Sequence, residues 1–274
     1  SSGATGINSS GVIIGYAFRY SGSTFLGNRA VRWDAGTTTA IELSSLGADG
    51  TGYATSRAAA INDAGTIVGR ASKSEGSNNF GDRAVRWSAG STTAVELGNL
   101  GTDDAGYTTS GASAVNASGQ IVGGAMKYVD GVEVGPRPVL WGLDGVAIDL
   151  NTLLSPADAE HWTLTSTLDI SDTNWVTGAG MFDPDGAGPL EAYLRAFLMR
   201  IPGPGCPADL DNGTSTGTPD GAVDINDLLH FLLRFEEGDQ DGADLDNGTG
   251  TGTPDNAVDI NDLLYFLVRF EAGC

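Results

Sequence analysis

One interval, 54 residues, organises most of this chain. Ile7-Asn8, Ile61-Asn62 and Val115-Asn116 recur at that spacing, and Ile170-Ser171 follows at 55; each precedes a related stretch, GVIIGYA, GTIVGRA, GQIVGGA or NWVTGAG. Trp33, Trp87 and Trp141 keep the same step in RAVRW, RAVRW and RPVLW, and RAFLM over residues 195–199 is a fourth, looser copy. Within one unit, AAAIN, a DAG turn and TIVGRA predict a hairpin, because Asn, Asp and Gly supply the positive φ angles of tight turns. RAVRW and TTAIEL add two further strands, which makes four per unit. A period of this size, with short apolar runs divided by Asn/Asp/Gly turns, is the signature of radial or stacked β repeats. The expected fold is mainly β, a β-propeller-like array of which four units are visible. The repeated tryptophans read as packing within each unit rather than as a sugar-stacking ring, since a residue repeated in every unit normally maintains the unit.

The paired signatures resemble the HAF family of extracellular repeats, in which an INxxGxIVG hairpin precedes an xAFxW strand. The resemblance spans roughly residues 4–201, and DLNTLLSPADAEHWTLTSTLDISD followed by RAFLMRIP is similar to the terminal unit of that family. The expected boundaries are a repeat domain over 1–201, a Pro/Gly linker over 202–206 and a separate domain over 206–274. The chain opens directly in an IN hairpin and SSGATGIN has no charged or apolar leader character, so upstream blades and a longer or processed precursor are expected.

The C-terminal domain carries a second duplication. Asp209–Arg234 (DLDNGTSTGTPDGAVDINDLLHFLLR) returns 35 residues later as Asp244–Arg269 (DLDNGTGTGTPDNAVDINDLLYFLVR). Each copy is an acidic, glycine-rich loop running into an apolar segment with helical spacing. Calcium takes six to eight hard oxygen ligands, which an EF-hand loop supplies from positions 1, 3, 5, 7, 9 and 12. On that scheme the first loop offers Asp209, Asp211, Asp220, the Ala222 carbonyl, Asp224 and Asp227. The second offers Asp244, Asp246, Asp255, the Ala257 carbonyl, Asp259 and Asp262. Two Ca²⁺ sites are therefore expected. Asn256 stands where the first loop has the turn glycine, and Asn enters left-handed conformations more readily than most residues. Each loop holds seven extra residues between positions 3 and 5, which either bulge outward or contribute an Asn or Thr oxygen of their own. The following helices are expected to present one apolar face each: Ile225, Leu228, Leu229, Leu232 and Phe235, then Ile260, Leu263, Leu264, Leu267 and Phe270. Cys206 and Cys274 bracket the domain. A disulfide would clamp its ends and suit an oxidising extracellular setting; free thiols or processing at Cys274 are the alternatives.

This loop–helix duplication, with Asp at position 12, no entering helix and a terminal Gly-Cys, resembles the dockerin family, most closely its GC-type members in secreted surface proteins. The resemblance implies a small all-α, calcium-dependent docking domain whose partner is a cohesin-like or other scaffold or surface receptor. It places the docking positions at Ile225, Asn226, Leu233 and Arg234, and again at Ile260, Asn261, Val268 and Arg269. The near-identity of the two sets implies that either helix can present the same face after a half-turn.

Charge narrows the partners. The net charge is −21, of which −13 lies within residues 206–274 and −8 in the preceding 205. Such a field repels phosphate backbones and anionic lipid heads, so nucleic acid is excluded as an expectation. No apolar run approaches the length of a membrane helix. With two histidines, His161 and His230, and no Ser/His/Asp or Cys/His set, no catalytic residue is assigned. Asp183-Pro-Asp185-Gly reads as an acidic turn and His161 as loop or edge structure. The expected function is a secreted, non-catalytic β-repeat protein held to a scaffold or cell surface by its dockerin-like tail. The alternatives are a polysaccharide-degrading enzyme or a glycan- or protein-binding propeller.

Overall fold

The computed structural model describes residues 1–186, 188–201, 208, 210–211, 217, 223–250 and 254–272. The expected linker and the candidate residues Cys206, Asp209, Asp220, Ala222 and Cys274 lie outside the described residues. The chain divides into two compact units, Ser1–Arg200 and Ile201–Cys274.

The first unit is four antiparallel sheets in chain order. The first sheet holds β1 (Ser2–Ile7), β2 (Ile13–Ser21), β3 (Thr24–Trp33) and β4 (Ile41–Glu42). The second holds β5 (Ser56–Ile61), β6 (Ile67–Glu75), β7 (Asn78–Trp87) and β8 (Val95–Glu96). The third holds β9 (Ser110–Val115), β10 (Ile121–Val129), β11 (Val132–Trp141) and β12 (Ala147–Asp149). A 3-10 turn (Leu150–Leu153) and a short helix α1 (Pro156–Ala159) lead into the fourth sheet, β13 (Trp162–Ile170), β14 (Trp175–Phe182) and β15 (Tyr193–Arg200). The expected hairpin is present in every sheet, as in the Ile61↔Ile67 pairing across the DAG turn. Three of the sheets have the expected four strands, the outermost only two or three residues long, and the count is corrected for the fourth sheet alone, which has three.

The repeated residues are those that join one sheet to the next. Asn8, Asn62 and Asn116 each accept, through Oδ1, the backbone N–H four residues on, at 2.9 Å in all three cases, which closes the hairpin turn. Each Nδ2 then donates to a carbonyl in the following unit: Asn8 to Asn62 at 3.3 Å, Asn62 to Asn116 at 2.9 Å, and Asn116 to Ser171 at 3.4 Å. In the fourth unit Ser171 Oγ takes over the turn, accepting from Trp175 N at 3.0 Å. The glycine of each IVG-type segment is equally constrained. Gly15, Gly69, Gly123 and Gly178 oppose the bulge between the first two strands of their sheets, where a Cβ would run into the carbonyl of Gly3, Arg57, Gly111 or Ser166.

Apolar cores fill the gaps between sheets. Ile14, Ala30 and Leu43 of the first sheet meet Ala58, Ile67, Val85 and Trp87 of the second; Val68, Ala84 and Leu97 then meet Ala112, Ile121, Val139 and Trp141 of the third. Trp87 and Trp141 are fully buried and donate Nε1–H to the preceding sheet, to Ser44 O at 3.1 Å and Gly98 O at 2.8 Å. They are packing residues with a satisfied polar end, which rules these two out of an exposed stacking ring; Trp33 is half-buried.

The second unit contains α2 (Ile225–Glu237), a short α3 (Gln240–Ala243) and α4 (Ile260–Ala272). Phe231 and Phe266, both fully buried, stack with ring centroids 4.1 Å apart and planes 3° from parallel. Leu228, Phe235, Leu263 and Phe270 pack around them with Val223 and Val258. Here the expected helix faces are corrected. Ile225, Leu229 and Leu232 are 59%, 59% and 41% exposed, and Ile260, Leu264 and Leu267 are 59%, 54% and 39% exposed. The buried stripe runs through 228, 231 and 235, and through 263, 266 and 270, while a second apolar stripe on each helix faces outward.

Candidate functional site

The acidic loops that lead into α2 and α4 are the densest collection of chemistry in the described residues. Each helix begins on an aspartate that caps it: Asp224 accepts from Asn226 N and Asp259 from Asn261 N, both at 2.7 Å. Three residues into the helix sits the carboxylate that organises the loop. Asp227 is fully buried and accepts three backbone N–H groups, Leu210 at 2.6 Å and Asp211 at 2.8 Å on Oδ1, and Asp224 at 2.7 Å on Oδ2. Asp262 repeats this with Leu245 at 2.6 Å, Asp246 at 2.8 Å and Asp259 at 2.8 Å. The chain folds this way because three donors converging on one short side chain let an acid be buried where its helix starts.

The second loop adds two more buried carboxylates. Asp244, 7% exposed, accepts from Asp255 N at 3.0 Å and Asn256 N at 2.6 Å, and Asn256 takes φ 68°, the left-handed turn expected of it. Asp246, 3% exposed, accepts from Gly248 N at 2.9 Å and Gly250 N at 2.8 Å, so the start of the inserted segment wraps over this carboxylate. Asp255, Ala257 and Asp259 are exposed. In the first loop the buried Asp211 lies 3.9 Å from Nδ1 of His230, a buried nitrogen without a hydrogen-bond partner. The sequence gives no sign that His230 sits beside Asp211, because Tyr265 replaces it in the second repeat.

Among the described residues, no three acidic, histidine or cysteine side chains converge as a metal ion requires. The donor set is nonetheless all oxygen, and Asp227, Asp244 and Asp262 are buried with no cationic side chain in ion-pair reach among the described residues. Among the described residues, backbone N–H dipoles are what offset these charges, and a bound divalent cation would add positive charge here. The residues fit a hard cation on those grounds.

Of the eight expected docking positions, the four apolar ones fall on the outward stripe. Ile225, Leu233, Ile260 and Val268 are 59%, 51%, 59% and 62% exposed. Asn226 and Asn261 are partly buried beside the caps, Arg234 pairs with Asp239 at 2.7 Å, and the Arg269 guanidinium lies 5.0 Å from the Tyr265 ring centre. Asn261, Val268 and Arg269 share a cavity of about 430 Å³ with Gly248 and Gly250 of the inserted segment.

In the first unit, His161 holds Asp183 O at 2.8 Å through Nδ1 and packs on Phe182. Asp183 and Asp185 accept backbone N–H groups at 3.3 and 3.2 Å, as turn residues do. These contacts are structural.

Fold and site together define a mainly β protein of serially packed antiparallel sheets that carries a small, acidic, duplicated helical unit. Compared with family models and with curated proteins, the chain finds no match. No helix among the described residues is long and apolar enough to cross a membrane.

Proposed function

We propose that this is a secreted, non-catalytic β-repeat protein of propeller type, attached to a scaffold or cell-surface receptor by a calcium-dependent, dockerin-like C-terminal module. The observation that carries the reading is the duplicated unit itself. Two helices 35 residues apart each follow a loop with buried carboxylates held by backbone N–H groups, and each leave an apolar stripe in solvent. Calcium at Asp244, Asp246, Asp255, Asp259, Asp262 and the Ala257 carbonyl, and at the matching first-loop positions, would relieve the repulsion within each loop. Its binding free energy then becomes folding free energy of a small domain. The outward stripes, too apolar to be idle on a domain this size, are the surface offered to a cohesin-like receptor.

The test is a calcium titration of the EDTA-treated full-length chain, followed by circular dichroism and isothermal calorimetry. Two binding events and a rise in helical signal and melting temperature are expected. Asp255→Ala removes an exposed side chain whose one described bond is local, to Ala257 N at 3.0 Å. It should weaken one event at least tenfold and leave the calcium-free spectrum unchanged. A chain that binds no calcium refutes the module's proposed dependence on the ion.

A further inference from the structure

One cross-strand position in the repeat unit departs from the rule that equivalent residues are alike. In the first sheet it is Gly3 opposite Tyr16, in the second Arg57 opposite Arg70, and in the third Gly111 opposite Gly124. Residues that build the unit recur at 54-residue steps; this pair does not, so sheet construction does not dictate it. Two arginines in register on neighbouring antiparallel strands repel each other, an arrangement that strands normally avoid. The compensation is slight. Arg70 is 3.8 Å from Asp82, with both side chains largely in solvent, and no carboxylate lies within ion-pair reach of Arg57 among the described residues. The Arg57 guanidinium instead lies 5.5 Å from the centre of the Tyr16 ring.

The surroundings form a groove. A cavity of about 350 Å³ lined by Tyr16, Phe18, Arg57 and Arg70 adjoins one of about 400 Å³ that shares both arginines and reaches Gly111. A third, of about 540 Å³, shares Arg70 and Gly111 and runs on past Arg137 to Ser166. The glycines keep it open: a Cβ on Gly111 would meet Arg70 only at ordinary contact distance, 3.7 Å, so space for a side chain is left unfilled. Phe18 is 39% exposed at one end, with its ring 6.4 Å from that of Tyr16.

We propose that this groove binds an acidic oligosaccharide, a chain of uronate-bearing pyranoses. Paired guanidinium groups match carboxylates in a planar, two-pronged fashion, aromatic rings take the C–H faces of sugar rings, and the hydroxyls of Ser113 and Ser166 in the lining suit sugar hydroxyls. An acidic peptide would satisfy the arginines but leave the ring and hydroxyl lining without partners. The site belongs to the first unit and does not depend on calcium or on the docking module.

The experiment is calorimetry of the full-length chain in EDTA with a galacturonate trimer, a neutral galactose trimer, a sulfated galactose trimer and a hexaglutamate peptide. The galacturonate trimer should bind, more weakly as salt rises, and at least tenfold tighter than the other three. Arg57→Gln, Arg70→Gln and Tyr16→Ala should each weaken it about tenfold or more, with melting temperatures held within two or three degrees. Should any of these variants lose stability, Gly111→Leu, which fills the groove without removing a charge, must abolish binding. Absence of galacturonate binding overturns the proposal. So does equal binding of the neutral trimer, the sulfated trimer or the peptide, and so does affinity that is unchanged in Arg57→Gln and Arg70→Gln.

Discussion

Replacing Asn62 with alanine should cost the repeat unit about 2–4 kcal/mol. Asn62 is 7% exposed, accepts from Thr66 N at 2.9 Å and donates to Asn116 O at 2.9 Å. Removing it orphans the half-buried Thr66 N–H, at about 1–3 kcal/mol, and takes one of two donors from the Asn116 carbonyl, which keeps the Gly119 N–H at 3.1 Å, so that this lost bond adds about 0.5–1.5 kcal/mol. The two bonds separate by substitution. Asn62→Ser keeps an acceptor in the arrangement that Ser171 already uses toward Trp175 N, 3.0 Å away, and should recover about half the loss. Asn62→Asp keeps the acceptor too but turns a carboxylate toward the Asn116 carbonyl, and should be at least as damaging as alanine. Urea unfolding of the full-length variants, followed by tryptophan fluorescence, gives the differences from midpoint and slope. An alanine variant within about 0.5 kcal/mol of the parent refutes the argument, because surface substitutions away from special features fall in that range. A serine variant as unstable as alanine would show that the inter-sheet donor, not the turn acceptor, holds the hairpin.

Gly69→Ala drives a Cβ into the Arg57 carbonyl and should lose about 1–3 kcal/mol, whereas Gly124→Ala, with its nearest neighbour at 3.6 Å, should stay within about 0.5 kcal/mol; urea midpoints compare them. Phe266→Ala removes a fully buried ring that stacks on Phe231, a change that costs about 3–5 kcal/mol in cores, so the helical signal at 222 nm should fall while tryptophan fluorescence of the sheets is retained. The Asp63 carboxyl is held below its ordinary value by the backbone N–H of Ser9, which donates to it at 2.8 Å. A depressed folded value contributes stability at neutral pH that is lost as pH falls through the ordinary carboxyl range and below it. Asp63→Asn should therefore flatten the fall in melting temperature between pH 5 and pH 2, and an unchanged slope would refute it.

The sheets were legible because unit-to-unit packing leaves a periodic trace. Asn62 must both close its own turn and reach the next unit, Gly69 must let two strands approach, and Trp87 must fill the gap between sheets and find a carbonyl for its N–H. Each demand fixes a residue type at a fixed interval, and that interval is what the sequence displays. The three-stranded fourth sheet left a weaker trace, since its Ser171 and RAFLM copies already depart from the pattern. The Arg57–Arg70 pair was invisible for the opposite reason. A residue that occurs in one unit alone has no period, and only strand register shows that the two arginines face each other.

The helical unit shows where spacing alone misleads. Counted along α2, the residues Ile225, Leu229 and Leu232 form as regular a stripe as Leu228, Phe231 and Phe235, and helical periodicity cannot choose between two apolar stripes. The choice is made by the loop. Asp227 must lie inward to collect the N–H groups of Leu210, Asp211 and Asp224, and its burial turns residues 228, 231 and 235 toward the core over the next two turns. Asp262 imposes the same rotation on α4, with Phe266 meeting Phe231 at the centre. The acid therefore does two jobs at once: it gathers the start of its loop, and it rotates Ile225 or Ile260 outward into solvent. Any event that strengthens the loop around Asp227 or Asp262 also fixes the orientation of the exposed stripe, and on the proposed reading this would couple ion binding to docking through one carboxylate per repeat.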